Sequence, residues 1–198
     1  EPLPMGIFRD DEAVLEEAVR AALAQADVVV MSGGTSKGAG DVSHRILARL
    51  GAPGVVVHGV ALKPGKPLCL AVADGKPLAV LPGFPTSAIF TFHAFVAPVI
   101  RAYAGLPAEA ARTVEARVPV RIASELGRTE FVLVALTQGD GGPAAFPTGK
   151  GSGAVTSFSQ ADGFLEIDAL ASAFEADRTA RVTLIGDAAT TPDLTIMG

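Results

Sequence analysis

Apolar residues recur at helical spacing over residues 11–26, where Val14, Leu15, Ala18, Val19, Ala22 and Leu23 share one face. Asp10 or Asp11 stands where such a helix needs a cap. The continuously apolar DVVVM at 27–31 then predicts a strand buried on both faces of a parallel sheet. A second amphipathic helix passes through Val42, Ile46, Leu47 and Leu50, with Asp41 as its expected cap. VVVHGVAL at 55–62 reads as one strand. PLCLAV and PLAVL flank Asp74-Gly75, a dipeptide that favours a tight hairpin turn. A long helix is expected from about Thr86 to Tyr103, ended by Gly105 and kinked at Pro98. Alternating helices and strands predict a sheet covered on both faces.

The pattern changes near residue 107. LPAEAART is polar and linker-like, and few helical periods follow it. VEARVPVRI, TEFVLVAL, GAVTSFS, GFLEID and RVTLIG are short β-type runs between glycine-rich turns. The expected architecture is therefore a three-layer α/β domain over 1–106 and a small all-β, barrel-like domain over 113–188. Residues 189–198 read as a linker or the start of a further strand. No internal repeat is visible.

Composition narrows the function classes. Of 198 residues, 49% are hydrophobic and only 19% charged, which excludes a disordered chain. A net charge of −5 argues against a general nucleic-acid or acidic-membrane binder, so an anion site must be a local exception. The single cysteine, Cys69, excludes an internal disulfide and fits a reducing, cytoplasmic compartment. The longest apolar stretch, within 88–100, is interrupted by Thr91, His93 and Pro98 and is too short to span a bilayer. The opening at Glu1 and the ending TPDLTIMG read as those of a fragment.

Three loops carry the candidate chemistry. SGGTSKGAGD (32–41) and LPGFP (81–85) each follow a strand-like run and precede a helix-like one. Between them, LKPGKP (62–67) holds Lys63 and Lys66 in a proline-stiffened turn. Glycine turns expose backbone N–H groups, helix starts add partial positive charge, and lysines add full charges. Together they predict a pocket for an anionic, phosphate-bearing ligand. Asp41, and with it Asp10 and Asp11, could hold a divalent cation against phosphate oxygens or simply serve helix starts. The first loop lacks P-loop and dinucleotide spacing. His44, His58 and His93 have no metal-ligand spacing, Cys69 reads as core, and Ser87 lacks a hydrolase elbow.

FRDD (8–11), SGGTSKGAGD, LKPGKP and LPGFPTS, in this order, resemble the molybdopterin molybdenumtransferase family, which includes the bacterial MoeA proteins and the gephyrin E domain. GRTEF (127–131) and GSGAVTSFSQADGF (151–164) resemble that family's C-terminal β domain, and the likeness covers about residues 5–188. It implies a MogA-like molybdopterin-binding domain and a transferase of molybdenum cofactor biosynthesis. Such an enzyme inserts molybdate into adenylylated molybdopterin and releases AMP, assisted by Mg²⁺ or another divalent cation. The resemblance implies Asp11 and Asp41 as catalytic acids, with Asp41 also a metal ligand. It implies Gly33, Gly34, Thr35, Ser36, Lys63, Lys66, Pro82, Gly83, Pro85 and Ser87 as substrate-binding, and a homodimer without nucleic-acid or membrane partners.

The sequence departs from the family pattern in three places. Two N-terminal domains and an earlier strand with a TGDE-like motif are missing, so the chain alone is expected to fold without turning over. Their absence would leave apolar surface exposed. PGFP stands where PGNP is usual, and Lys37 stands where many members are apolar. Two other functions fit the same loops: a molybdopterin adenylyltransferase, and a non-catalytic ligand-sensing module.

Overall fold

The computed structural model describes residues 1–33, 40–139, 141–149 and 155–186, without the side chains of 40–42 and 155. The expected segment at 189–198 lies outside these residues. The chain forms two compact units, one of residues 1–60 and 65–109, the other of residues 61–64 and 110–198.

The first unit opens with an extended segment and then α1 (Glu12–Gln25), β1 (Val29–Ser32), α2 (Gly40–Arg49) and β2 (Gly54–His58). Asp11 caps α1, its Oδ1 accepting from the N–H groups of Ala13 and Val14 at 3.0 Å each. The short β3 (Leu62–Lys63) belongs to the other unit. β4 (Cys69–Ala73) and β5 (Lys76–Leu81) form the expected hairpin, with Asp74 at φ 52° and Gly75 at φ 76°. Both turn residues are left-handed, as the tightest hairpin turn requires. The sheet order is β1-β5-β4-β2, with β1 and β5 parallel and the other pairs antiparallel.

Strand alternation assigns the two faces of that sheet. Cys69, Ala71, Leu78 and Val80 pack in one core with α1 and α2 residues such as Leu15, Val19, Ile46 and Leu47. Ala79 and Leu81 turn the other way, into a second core with Leu68, just before β4, and Val96, from the chain after β5. That chain comprises α3 (Pro85–Thr91), a π-helical turn over Phe92–Val96, and α4 (Ala97–Tyr103). The expected three layers are present. The irregularity blamed on Pro98 is that π turn, placed just before the proline whose missing N–H breaks the regular hydrogen-bond ladder. Cys69 is buried, and burial pushes its thiol above the usual range.

Three expectations need correction. DVVVM, expected to be buried on both faces of a parallel sheet, is instead the edge strand β1 of a mixed sheet, with Val30 39% exposed. The strand expected over 55–62 breaks at Gly59, whose φ of 88° suits glycine far better than any other residue. Beyond it, Leu62 and Lys63 pair with Thr129 and Glu130 instead. GAVTSFS, expected as a β-type run, contains a helical turn, α5 (Val155–Ser159). Its hydroxyl side chains satisfy polar groups locally, with Ser159 donating to the carbonyl of Thr156 three residues earlier.

The second unit is built from β6 (Thr113–Val118), β7 (Ile122–Ala123), β8 (Thr129–Gly139), β9 (Gly142–Gly149), β10 (Gly163–Ile167), β11 (Ala173–Phe174) and β12 (Arg178–Leu184). Strands run in the order β10-β12-β6-β9-β8-β3, and β8 also pairs with β10. That last pairing closes a barrel of β10, β12, β6, β9 and β8 and removes their free edges. Its interior is filled by Val118, Ile122, Val132, Val134, Leu165, Ile167 and Val182.

Candidate functional site

Register brings three loops of the first unit to one end of the sheet. β1 and β5 are parallel, so Ser32-Gly33 and Pro82-Gly83 leave at the same edge. β4 runs opposite to β5 with Cys69 beside Val80, so the turn containing Lys66 enters from that edge too. This is where parallel strands commonly present ligand-binding loops. Gly33 has φ +95°, and its N–H donates to the Leu81 carbonyl at 3.2 Å. A Cβ on Gly83 would stand 3.5 Å from the Gly33 Cα, so the two loops touch through glycines. Pro82 is buried beneath them, whereas Gly83 and Pro85 are exposed. Gly34, Thr35, Ser36 and Lys37 lie outside the described residues.

FRDD reaches the same end through a cavity. About 450 Å³ lies between the segment Leu3–Phe8, one face of α1 and the whole of β1. Leu15, Val19 and Val29 make its wall apolar, while Asp10, Ser32, Gly33 and Ser43 line it with polar groups. Ser43 was not singled out from the sequence. Its spacing to Ile46, Leu47 and Leu50 (i, i+3, i+4, i+7) nonetheless puts it on the buried face of α2, a signal the helical pattern carries. α1 and α2 are tied by Glu12, which pairs with Arg45 at 3.3 Å and also with Arg49. The Arg49 hydrogen bond, then Arg49 and Arg45 charge, hold the Glu12 carboxyl below its usual range despite partial desolvation.

The acids divide. Asp11 spends one carboxylate oxygen on the α1 cap. α2 begins at Gly40, so Asp41 lies inside the first helical turn and not ahead of it as a cap, and its side chain lies outside the described residues. Among the described residues no three His, Cys, Asp or Glu side chains converge on a point. His44 and His58 stack at 4.6 Å, and His93 meets the Phe92 ring edge-on at 5.5 Å, both packing arrangements.

The two lysines also divide. Lys66 is exposed, and its side chain has no ion pair among the described residues. Lys63 belongs to the barrel, where Nζ lies 3.1 Å from Glu125 Oε1 and 3.3 Å from Glu130 Oε1. Glu130 is 3% exposed and accepts from Ser124 Oγ at 2.7 Å. Desolvation opposes the Lys63 charge, but the two carboxylates outweigh it and hold its pKa above the usual value. The Lys63 hydrogen bond, reinforced by Lys63 and Arg128 charge, holds Glu125 below its own. An ammonium already facing two carboxylates is a poor ligand for an added anion. Ser87 is buried, its carbonyl accepting from Thr91 Oγ1 at 2.8 Å.

Lys63→Ala leaves a nearly buried carboxylate short of its cation, and is expected to destabilise the barrel by about 1–3 kcal/mol. Lys63→Arg should recover most of that loss in the same denaturant titration. The network's contribution should be present between roughly pH 5 and pH 10. It falls on the acid side as pH drops through the lowered Glu125 pKa, and on the alkaline side as pH rises through the raised Lys63 pKa. An alanine variant as stable as wild type, with the same pH profile, would contradict this role.

Known proteins match both units. The family described as a probable molybdopterin binding domain matches residues 1–102, and the MoeA C-terminal region (domain IV) matches residues 115–185. The chain belongs to the MoeA family. A molybdopterin molybdenumtransferase of a Nostoc species is 42% identical over 109 residues, covering 54% of this chain and 25% of that protein. One from Bacillus subtilis is 30% identical over 191 residues, covering 93% of this chain and 43% of that protein. A molybdopterin biosynthesis MoeA protein from a Pyrococcus species superimposes with a TM-score of 0.74 at 38% identity, over 91% of this chain and 42% of the other. The chain thus spans less than half the length of these relatives. Its MoeA membership places the first unit as the MogA-like domain and the barrel as the MoeA C-terminal domain.

Proposed function

We propose that this MoeA-family chain serves molybdenum cofactor biosynthesis by binding adenylylated molybdopterin, where molybdate is inserted and AMP released. The observation that carries the reading is the meeting of Ser32-Gly33, Pro82-Gly83 and the Lys66 turn at one sheet end. Close glycine backbones admit a phosphate without side-chain obstruction, and the exposed Lys66 offers it charge. Pro82 and Pro85 hold the second loop stiff. Mg²⁺, with Asp41 as ligand and Asp11 nearby in the chemistry, belongs to the same reading, as do a cytoplasmic setting and a homodimer.

The reading is tested by fusing the chain to the preceding region of the Bacillus subtilis relative and supplying adenylylated molybdopterin with molybdate. AMP release with molybdenum incorporation is the expected result. Tight binding without AMP release would favour the ligand-sensing alternative. Formation of adenylylated pterin from ATP and molybdopterin would favour the adenylyltransferase. The unfused chain should bind the adenylylated pterin without turnover.

A further inference from the structure

Phe84 breaks two local rules at once. It is the residue before α3, where Ser, Thr, Asp or Asn would accept a hydrogen bond from the free helix N–H groups, and it makes no such bond. It also contributes little to either core, for 59% of it is exposed. Two residues on, Thr86 is only 2% exposed, and its Oγ1 is a buried side-chain oxygen without a hydrogen-bond partner among the described residues. Buried hydroxyls are normally paired. Departures of this kind concentrate where a ligand, and not the fold, sets the residue.

Position supplies the rest. Phe84 directly follows Gly83, which lies against Gly33, so its backbone sits beside these two glycines at the ligand-facing end of the sheet, and its side chain is exposed there. A planar aromatic group held on a proline-flanked backbone, half out in water, is suited to covering another planar ring. It has no polar atom with which to grip a phosphate. We propose that Phe84 is a specificity-determining residue of this site, stacking on the fused nitrogen heteroaromatic ring of the ligand. The purine and the pterin of an adenylylated molybdopterin share that chemistry. This inference rests on the reading of the site given above.

The test is titration of the 198-residue chain with AMP, neopterin and ribose 5-phosphate, followed calorimetrically, for wild type, Phe84→Asn, Phe84→Ala and Phe84→Trp. Asparagine is a favoured helix cap and Phe84 is largely exposed, so Phe84→Asn should fold with a melting temperature equal to or above wild type. Stacking on an aromatic side chain should make a ring-bearing probe bind about tenfold more tightly than a ring-free one. Wild type should therefore prefer AMP to ribose 5-phosphate if the purine is the ring covered. If it is the pterin, neopterin should bind at least that tightly while AMP gains nothing over ribose 5-phosphate. Phe84→Asn and Phe84→Ala should abolish the ring's advantage without weakening ribose 5-phosphate, and Phe84→Trp should keep it. A ring advantage that survives in Phe84→Asn, or ribose 5-phosphate binding with no ring advantage in wild type, overturns the stacking role alone. Failure of all three probes to bind wild type overturns the site itself.

Discussion

Gly163→Ala should cost about 2–3 kcal/mol and lower the barrel's melting temperature by roughly 10–20 °C. Gly163 opens β10 and is paired on both sides, to Leu184 in β12 and to Val134 in β8. A Cβ there would lie 2.5 Å from the Thr183 carbonyl oxygen and 2.7 Å from Val182 Cγ1. Val182 is fully buried, and the carbonyl is backbone, so neither neighbour can swing aside. Relief would require β10 to part from β12 at a seam of the closed barrel. Differential scanning calorimetry checks this. A melting temperature within about 2 °C of wild type would show that the strands do not approach so closely in solution.

Asp41→Asn should lower molybdenum insertion about tenfold or more at limiting Mg²⁺, in the fusion used above, with little change in melting. Asp41 occupies the first turn of α2, where a carboxylate gains only about 0.3–1 kcal/mol from the helix dipole. Asparagine gives up that increment and keeps the size and shape of the side chain. A carboxylate that positions a cation beside phosphate loses its purpose when the charge goes. Wild-type turnover together with wild-type melting would reduce Asp41 to a helix-start residue.

Much of the α/β unit was readable because its signals are local. Two-residue alternation in Leu78, Ala79, Val80 and Leu81 sends successive side chains to opposite cores, and Asp74-Gly75 forms the turn its composition favours. Where long-range pairing decides, the sequence is silent. Leu62-Lys63 extends an apolar run, and only the β8 edge explains why it leaves that run. The partners of Lys63 lie more than sixty residues away, so its charge read as available when it is engaged. GAVTSFS looked like a strand because short apolar-polar runs fit a helical turn equally well. At the site, the glycine and proline loops were legible from their composition. The exposure of Phe84 and the Thr86 hydroxyl without a partner among the described residues were not, since both depend on what packs around them.

β3 carries one more consequence. The chain leaves the first unit at Ala61, lends two residues to the barrel sheet, and returns at Gly65 before leaving again after Glu109. A gene segment ending at residue 109 would carry off a strand of the domain it leaves behind. The remaining barrel would show an open edge at Thr129-Glu130, and the Glu130 carboxylate would lack its ammonium. The two units are therefore not separable modules in the usual beads-on-a-string sense. Recombination or truncation between them would have to preserve four residues from the wrong side of the join.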